Sequence, residues 1–440
     1  MATSETTRAA ARQGATAPKR GFYGWKLLGA LWCIFFLNMG FPLYGGAVIN
    51  SYMMHEIHMP RSIYGLGFSL LNFFVSVPSM LIAAAIIRWG ARGSFLIGSG
   101  LIFCGALWMA FVATQPWQYL VGFGVVIGAG IGFATFLPIS TAVNRWFKHY
   151  RGRCMAFVLT ASEFAGLLAA PLMNKLITAM SGRWRTGWEV VACMAICSGL
   201  IAYFFVKEHP ADLGQEVDNG RFAGEDDARK DRGLHTTEEW TTGEVYRSFS
   251  FWMIVVGALA CEYPFFFFTA HWLVYLRGLG ISPANAALAQ GMFSIGGVGG
   301  LIVGGILLDF IAARYTYILG LACYLVGTYL AMHASHESLF IIFTAAVLYG
   351  AAFNWTFACA NTVAGNFYGA EVFPKVNGTL WVITALICSP AAVIGGILFD
   401  AYKSYRPAFE LNQVICVIGM LALLFARMPK RKIVQVAGSR

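Results

Sequence analysis

Long apolar runs separated by short polar breaks dominate this chain from about residue 25 to residue 426. A helix needs about 20 residues to cross ~30 Å of hydrocarbon. By that measure six runs near 25–52, 62–87, 94–113, 119–143, 154–179 and 188–206 predict six spans. Six more near 251–276, 284–308, 315–334, 339–363, 376–399 and 408–426 repeat the scheme. The runs are continuous rather than alternating, which excludes a membrane barrel. The pattern therefore predicts an all-α polytopic membrane protein with twelve transmembrane helices in two six-helix bundles. The expected boundaries are a tail at 1–20, a first bundle at 21–206, a linker at 207–246, a second bundle at 247–427 and a tail at 428–440.

The two halves resemble each other at an offset of about 220 residues, the mark of an internal repeat. Ala83 to Arg88 matches Gly304 to Asp309 in character, and Pro171 in the fifth span has a counterpart in Pro390 in the eleventh. Many of the 49 glycines lie inside spans. Small residues let helices approach closely, and no strand precedes these runs to make a phosphate-binding loop of them.

Composition agrees with a lipid environment: 58% of the 440 residues are apolar and 12% are charged. Eleven of the 21 acidic residues fall between Lys207 and Arg247, so the net charge of +10 belongs to the loops and tails. The basic residues punctuate apolar runs without forming one polar face, which argues against nucleic acid as a partner. Lys19, Arg20, Arg88, Arg92, Arg145, Lys148, Arg151, Arg153, Arg314, Lys375, Arg427, Lys430, Arg431 and Lys432 share one side, against six basic residues on the other. Positive charge is retained inside, so both termini and the long acidic loop are expected in the cytoplasm, and a cell (inner) membrane is the expected location. The ten cysteines are scattered singly, without the spacing of a disulfide framework or metal site. No Ser/His/Asp set or Walker motif is present, so an enzyme is not expected and no cofactor is implied.

Ionisable groups at bilayer depth are the residues to weigh, because a charge there needs a partner, a wet cavity or neutralisation. Glu262 lies near the middle of the seventh span with Pro264 close by, and is read as a proton-coupling carboxylate or a structural, hydrogen-bonded Glu. Glu163, mid-span in the fifth with Gly166 and Ala170 on its face, has the same two readings. His271 and Arg277, toward the outer end of the seventh span, can attract an anion, or be a satisfied buried imidazole and a solvated loop charge. Asn38, Thr135, Asn354 and Asn361 complete the polar inventory as candidate substrate-binding residues. Asn354 and Asn361 share a helical face, which suits a cavity stripe or an interhelical ladder. The aromatic run from Tyr263 to Phe268 covers all sides of its helix, so most of it must meet lipid or neighbouring helices.

Twelve spans as six plus six around a polar loop resemble the major facilitator superfamily. Tyr23-Gly24-Trp25, and Arg145-Trp146-Phe147 through Arg151-Gly152 to Ala156, look similar to the monocarboxylate transporter and oxalate-formate antiporter-like group. So do His271 through Tyr275-Leu276 to Gly280, and Gly396 through Asp400 to Pro407-Ala408-Phe409. Two positions depart from that group: Arg88 stands where an Asp is usual before Gly90 and Arg92, and Leu301 stands where many relatives carry a substrate-pairing Arg. The resemblance implies that spans one, four, seven and ten line a central cavity, bringing Asn38, Thr135, Glu262, His271, Asn354 and Asn361 toward one volume. It also implies alternating access by rocking of the halves. The expectation is a proton-coupled carrier of a small organic anion, a monocarboxylate or related acid. A carrier of neutral or cationic amphiphiles is the alternative, and a transporter-like receptor a remote one.

Overall fold

The computed structural model describes residues 22–148, 150–220, 240–335, 338–369 and 372–428, and among these residues it is helical with no strand. The expectations for the tails, for the loop around residues 226–232 and for Lys430 to Lys432 lie outside the described residues, as do the side chains of Arg151 and Asp309. The first half comprises α1 (Gly24–Glu56), α2 (Arg61–Ser76), α3 (Ser79–Val112), α4 (Pro116–Trp146), α5 (Arg151–Ala179) and α6 (Arg185–Phe205). The second comprises α7 (Phe249–Gly278), α8 (Pro283–Phe310), α9 (Ala313–Met332), α10 (Leu339–Tyr368), α11 (Phe373–Cys388 continued by Ala391–Tyr402) and α12 (Arg406–Phe425).

Eleven described helices are long and apolar enough to cross a membrane; α2 has only 16 residues. Its span was expected to run unbroken, but Val77 and Pro78 interrupt it. The apolar stretch resumes at the start of α3 and turns at Gly90, where φ is 76°. Proline lacks an N–H for the helical ladder, which accounts for the first break. At Gly90 a left-handed backbone and a neighbouring carboxylate, that of Glu208, both exclude a Cβ. Helix α1 widens over Phe36–Gly45 around Pro42 for the same reason as the first break.

Chain order alternates the helix ends between a near side, where Gly24, Trp146 and Phe205 lie, and a far side, where Glu56, Arg61, Gly278 and Arg406 lie. The described part of the linker docks on the near end of the first bundle. Glu208 accepts hydrogen bonds from Ala91 N at 3.1 Å and Arg92 N at 2.8 Å, and pairs with Arg145. Trp146 Nε1 donates to Lys207 O, Lys148 N to Asp218 Oδ2 and Tyr23 N to Gln215 Oε1. Residues 205–218 thereby strap together the near ends of α1, α3, α4 and α6. A short helix, Thr242–Arg247, leads into α7 and is capped by Thr241 and Glu244.

The halves meet along two seams. In one, α5 packs on α8, with Gly166 against Ser294 and Gly291 against Leu167. In the other, α2 packs on the far piece of α11, where a Cβ at Gly65 would strike the Ala392 carbonyl and one at Gly396 the backbone of Arg61. Small residues set both approaches. The middle of helix α7 is enclosed on all sides: Tyr263, Phe265, Phe266, Phe267 and Phe268 are all buried. Neighbouring helices, not lipid, take the whole aromatic run.

Candidate functional site

Midway along the α5 and α8 seam, the Glu163 carboxylate of the first half faces the Asn354 amide of the second. The approach falls short of a well-formed bond, since Glu163 Oε2 and Asn354 Nδ2 are both buried without a partner in hydrogen-bond geometry among the described residues. Gly297 of α8 makes the room, for a Cβ there would strike both groups. Along the same face of α8, at helical spacing from Gly297, lie Gln290 and Ser294, both buried with unpartnered side-chain atoms. Tyr44 of α1 closes the cluster beside Glu163 and Ser162. Buried polar atoms are normally satisfied, so this concentration at a seam between halves has unused capacity to bond water or a polar solute.

Glu262 occupies a different environment. It lies beside Thr384 of α11 and near Cys388, with Oε2 buried and unpartnered. Pro264 leaves the Ala260 carbonyl without its helical donor, and Cys416 Sγ stands 3.9 Å from that oxygen. Asn361 of α10 meets the same stretch of α11: its Oδ1 accepts from Trp381 Nε1 at 3.1 Å, and its Nδ2 donates to Phe357 O at 2.7 Å. Trp381 stacks on Phe357 at 4.5 Å, and Phe265 on Phe353 at 3.8 Å. Asn354 and Asn361 thus share a helix face but serve different neighbours.

The remaining expected site residues lie elsewhere. Asn38 points into the first bundle, donating to Ser198 Oγ at 2.7 Å and Ser99 Oγ at 3.4 Å, and so ties α1 to α6 and α3. Thr135 sits at a break in α4 caused by Pro138, its hydroxyl bonded to Ile131 O. His271 is fully buried in the far seam, with Nε2 2.6 Å from Ala392 O and Nδ1 2.9 Å from Tyr405 Oη. A carbonyl only accepts, so Nε2 carries the proton and Nδ1 accepts from the phenol. Arg277 is half-buried rather than a solvated loop charge. Its Nη1 donates to Ser51 Oγ at 2.9 Å and its guanidinium lies 4.3 Å from the Tyr52 ring. The volume expected to unite six of these residues therefore gives way to separate clusters: Glu163 with Asn354, Glu262 with Asn361 around α11, and His271 with Arg277 at the far end.

Sequence reasoning passed over Arg61, Gln290, Ser294 and Glu208. The spacing of Gln290, Ser294 and Gly297 on one helical face was the available signal for α8. Arg61 and Glu208 carried none, because their partners come from remote parts of the chain.

The far seam is zipped by polar bonds: Ser62 N donates to Asp400 Oδ2 at 2.9 Å and Val393 N to Ser69 Oγ at 3.0 Å. Val393 is in the first turn after the Ser389 and Pro390 break, where a helix leaves its N–H groups unpaired. The other half supplies the missing acceptor, and the far end is closed.

The family model described as Major Facilitator Superfamily matches residues 30–279 and 265–439. The chain is similar to the MFS transporter asaE of Aspergillus flavus, at 28% identity over 38% of this chain and 38% of that protein's length. Monocarboxylate transporter 12 of Rattus norvegicus is 22% identical over 77% of this chain and 72% of its own. Among solved structures, a D-xylose-proton symporter superposes with a TM-score of 0.71 at 13% identity, covering 92% of this chain and 97% of that one. With two helical bundles joined along paired seams and a family match running almost from end to end, the chain, which spans about two fifths of the length of the first curated relatives it matches, belongs to the Major Facilitator Superfamily and is a multi-pass membrane protein.

Proposed function

We propose that this transporter carries a small organic acid together with a proton, and that Glu163 holds the proton. The observation that carries the reading is the meeting of Glu163 with Asn354 across the seam between halves, above Gly297. An ionised carboxylate buried there with one imperfect donor is costly, whereas a protonated one donates to a neighbour and leaves the seam neutral. Proton occupancy at Glu163 thus biases how the halves pack, which is what coupling requires. An anion and a proton crossing together make a neutral load. The name of the rat relative supports the solute class, as does Arg277 at the far mouth.

Glu262 is the second proton candidate, set within one half against α11. Both are tested by replacement with Gln, which keeps size and hydrogen bonding but mimics only the protonated state. In proteoliposomes given a panel of labelled monocarboxylates, Glu163→Gln should lose uptake driven by a pH gradient while keeping counterflow exchange. Gradient-driven uptake at the unsubstituted rate in Glu163→Gln removes it from the coupling role, and the same pair of assays decides Glu262→Gln. The aromatic stacks of Phe265 on Phe353 and Phe357 on Trp381, with Leu301 in place of a cation, favour a second reading as a carrier of neutral or cationic amphiphiles. Transport of such solutes without any of the carboxylates would select it.

A further inference from the structure

The far mouth brings together two cations from opposite halves. Arg61 opens α2 and lies over Phe399 at 3.7 Å and Tyr405 at 5.0 Å, with a guanidinium nitrogen against Gly278. Arg277 precedes Gly278 and reaches the other way, to Ser51 and Tyr52 of α1. Both guanidinium groups lie within electrostatic reach of the exposed His55 and the buried Tyr64. Of the nearby acids, Asp400 accepts Ser62 N–H through Oδ2 and makes no ion pair among the described residues, and Glu56 is taken by Trp184 Nε1 at 2.6 Å and Arg185 Nη1 at 3.0 Å. Among the described residues neither Arg61 nor Arg277 has a carboxylate within ion-pair distance. Closing the far gate therefore brings two half-buried positive charges toward each other with hydroxyls and ring faces as their direct partners. Such partners leave most of a guanidinium's donors unused.

We infer that Arg61 and Arg277 form a carboxylate-binding pair at the far mouth, and that a carboxylate held between them stabilises the closed far gate. A planar two-oxygen anion matches the guanidinium fork, and its charge removes the repulsion that resists closure. The gate then closes preferentially on an arriving organic acid, because a ligand shifts an equilibrium by its preference for one state. This deepens the organic-acid reading and rests on it for the identity of the load.

The test follows closure itself. Spin labels on Ala179→Cys of α5 and Ala284→Cys of α8, both exposed at the far end and in opposite halves, report the gate by their separation. The exposed Cys104, Cys193 and Cys197 are replaced by Ser in the full-length reconstituted protein. Sodium acetate is the probe, and sodium chloride at equal ionic strength controls for screening. Acetate should enlarge the short-distance population where chloride does not. Arg61→Gln and Arg277→Gln should each raise the half-effective acetate concentration by roughly tenfold, the loss of one charge-assisted bond. Arg61→Glu should close the gate without acetate by pairing with Arg277, an effect that misfolding does not imitate. Equal responses to chloride and acetate, an acetate response unchanged in both Gln variants, or an Arg61→Glu gate that behaves as the unsubstituted one overturns the inference. Labelled carboxylate uptake separates the two claims. Uptake with an indifferent gate sinks this inference alone, and an acetate-responsive gate without carboxylate uptake sinks the organic-acid reading.

Discussion

Replacing Glu208 should loosen the first bundle from its near end. Its carboxylate accepts the Ala91 and Arg92 amides, the first two donors after the Gly90 turn, and pairs with Arg145. Hydrogen bonds to a charged group contribute about 1.5–3 kcal/mol each. Side-chain exposure of 26% for Arg145 and 25% for Glu208 weakens the ionic part by solvent screening. A net loss of about 2–4 kcal/mol for Glu208→Ala is the reasonable figure, since the change strands a helix N-terminus and a partly buried cation together. For a cooperative unit the size of one bundle this corresponds to a fall of roughly 4–16 °C in Tm. Intrinsic fluorescence during heating in detergent reads it directly, because Trp146 is buried at this end and donates to Lys207 O. Arg145→Gln should lower Tm by less, because the two amides keep their acceptor. The double variant should fall short of the sum by about 1–2 kcal/mol, as partners in one network do. A Glu208→Ala protein melting within a degree of the unsubstituted one, or strictly additive effects, would show that the strap carries no stability.

Two other outcomes are open to measurement. From the basic asymmetry of the loops the termini and the loop at residues 226–232 are predicted to face the cytoplasm, so a cysteine at Asp227 should resist an impermeant thiol reagent in intact cells and react after permeabilisation; labelling of intact cells reverses the orientation. Gly297→Val should cut transport by roughly tenfold or more, the cost of overpacking the space that Glu163 and Asn354 share, whereas Gly305→Ala, with nothing within 4 Å of its Cβ, should transport normally; equal activity of the two variants refutes the packing argument.

The architecture was legible because a bilayer constrains sequence so strongly. A run of about 20 apolar residues has few alternatives to a spanning helix, and charges collect where water begins. Interruptions were harder to see. Pro78 is visible in the chain, but whether a proline kinks a span or ends a helix depends on what serves the freed backbone groups, and those partners are distant in sequence. The linker hid Glu208 among ten other acids, because nothing local distinguishes a carboxylate that docks on a helix N-terminus from one in water. Glu163 and Asn354 were each legible as polar residues at membrane depth, but their pairing depends on how α5, α8 and α10 stack. Arg277 was legible as a charge that attracts an anion or stays solvated at a span end, and Arg61 only as one of six basic residues on the far side. Their half-burial follows from where α1, α2 and α7 converge.

Opening the far seam has a cost that ion pairs do not describe. When α2 leaves α11, Val393 N–H loses Ser69, and if the α7 contact goes too, the Ala392 carbonyl loses His271. Val393 N–H belongs to the first turn after Pro390, where the helix offers it no acceptor, whereas the Ala392 carbonyl keeps its place in the helical ladder and His271 Nε2–H is the group left bare. Only water can replace those partners, and opening is therefore a wetting event, in which the cleft must fill as it parts. Water activity then enters the transport cycle as a variable of its own. Osmolytes too large to enter the cleft would draw water from it and hold the far side shut, independently of any solute the protein carries.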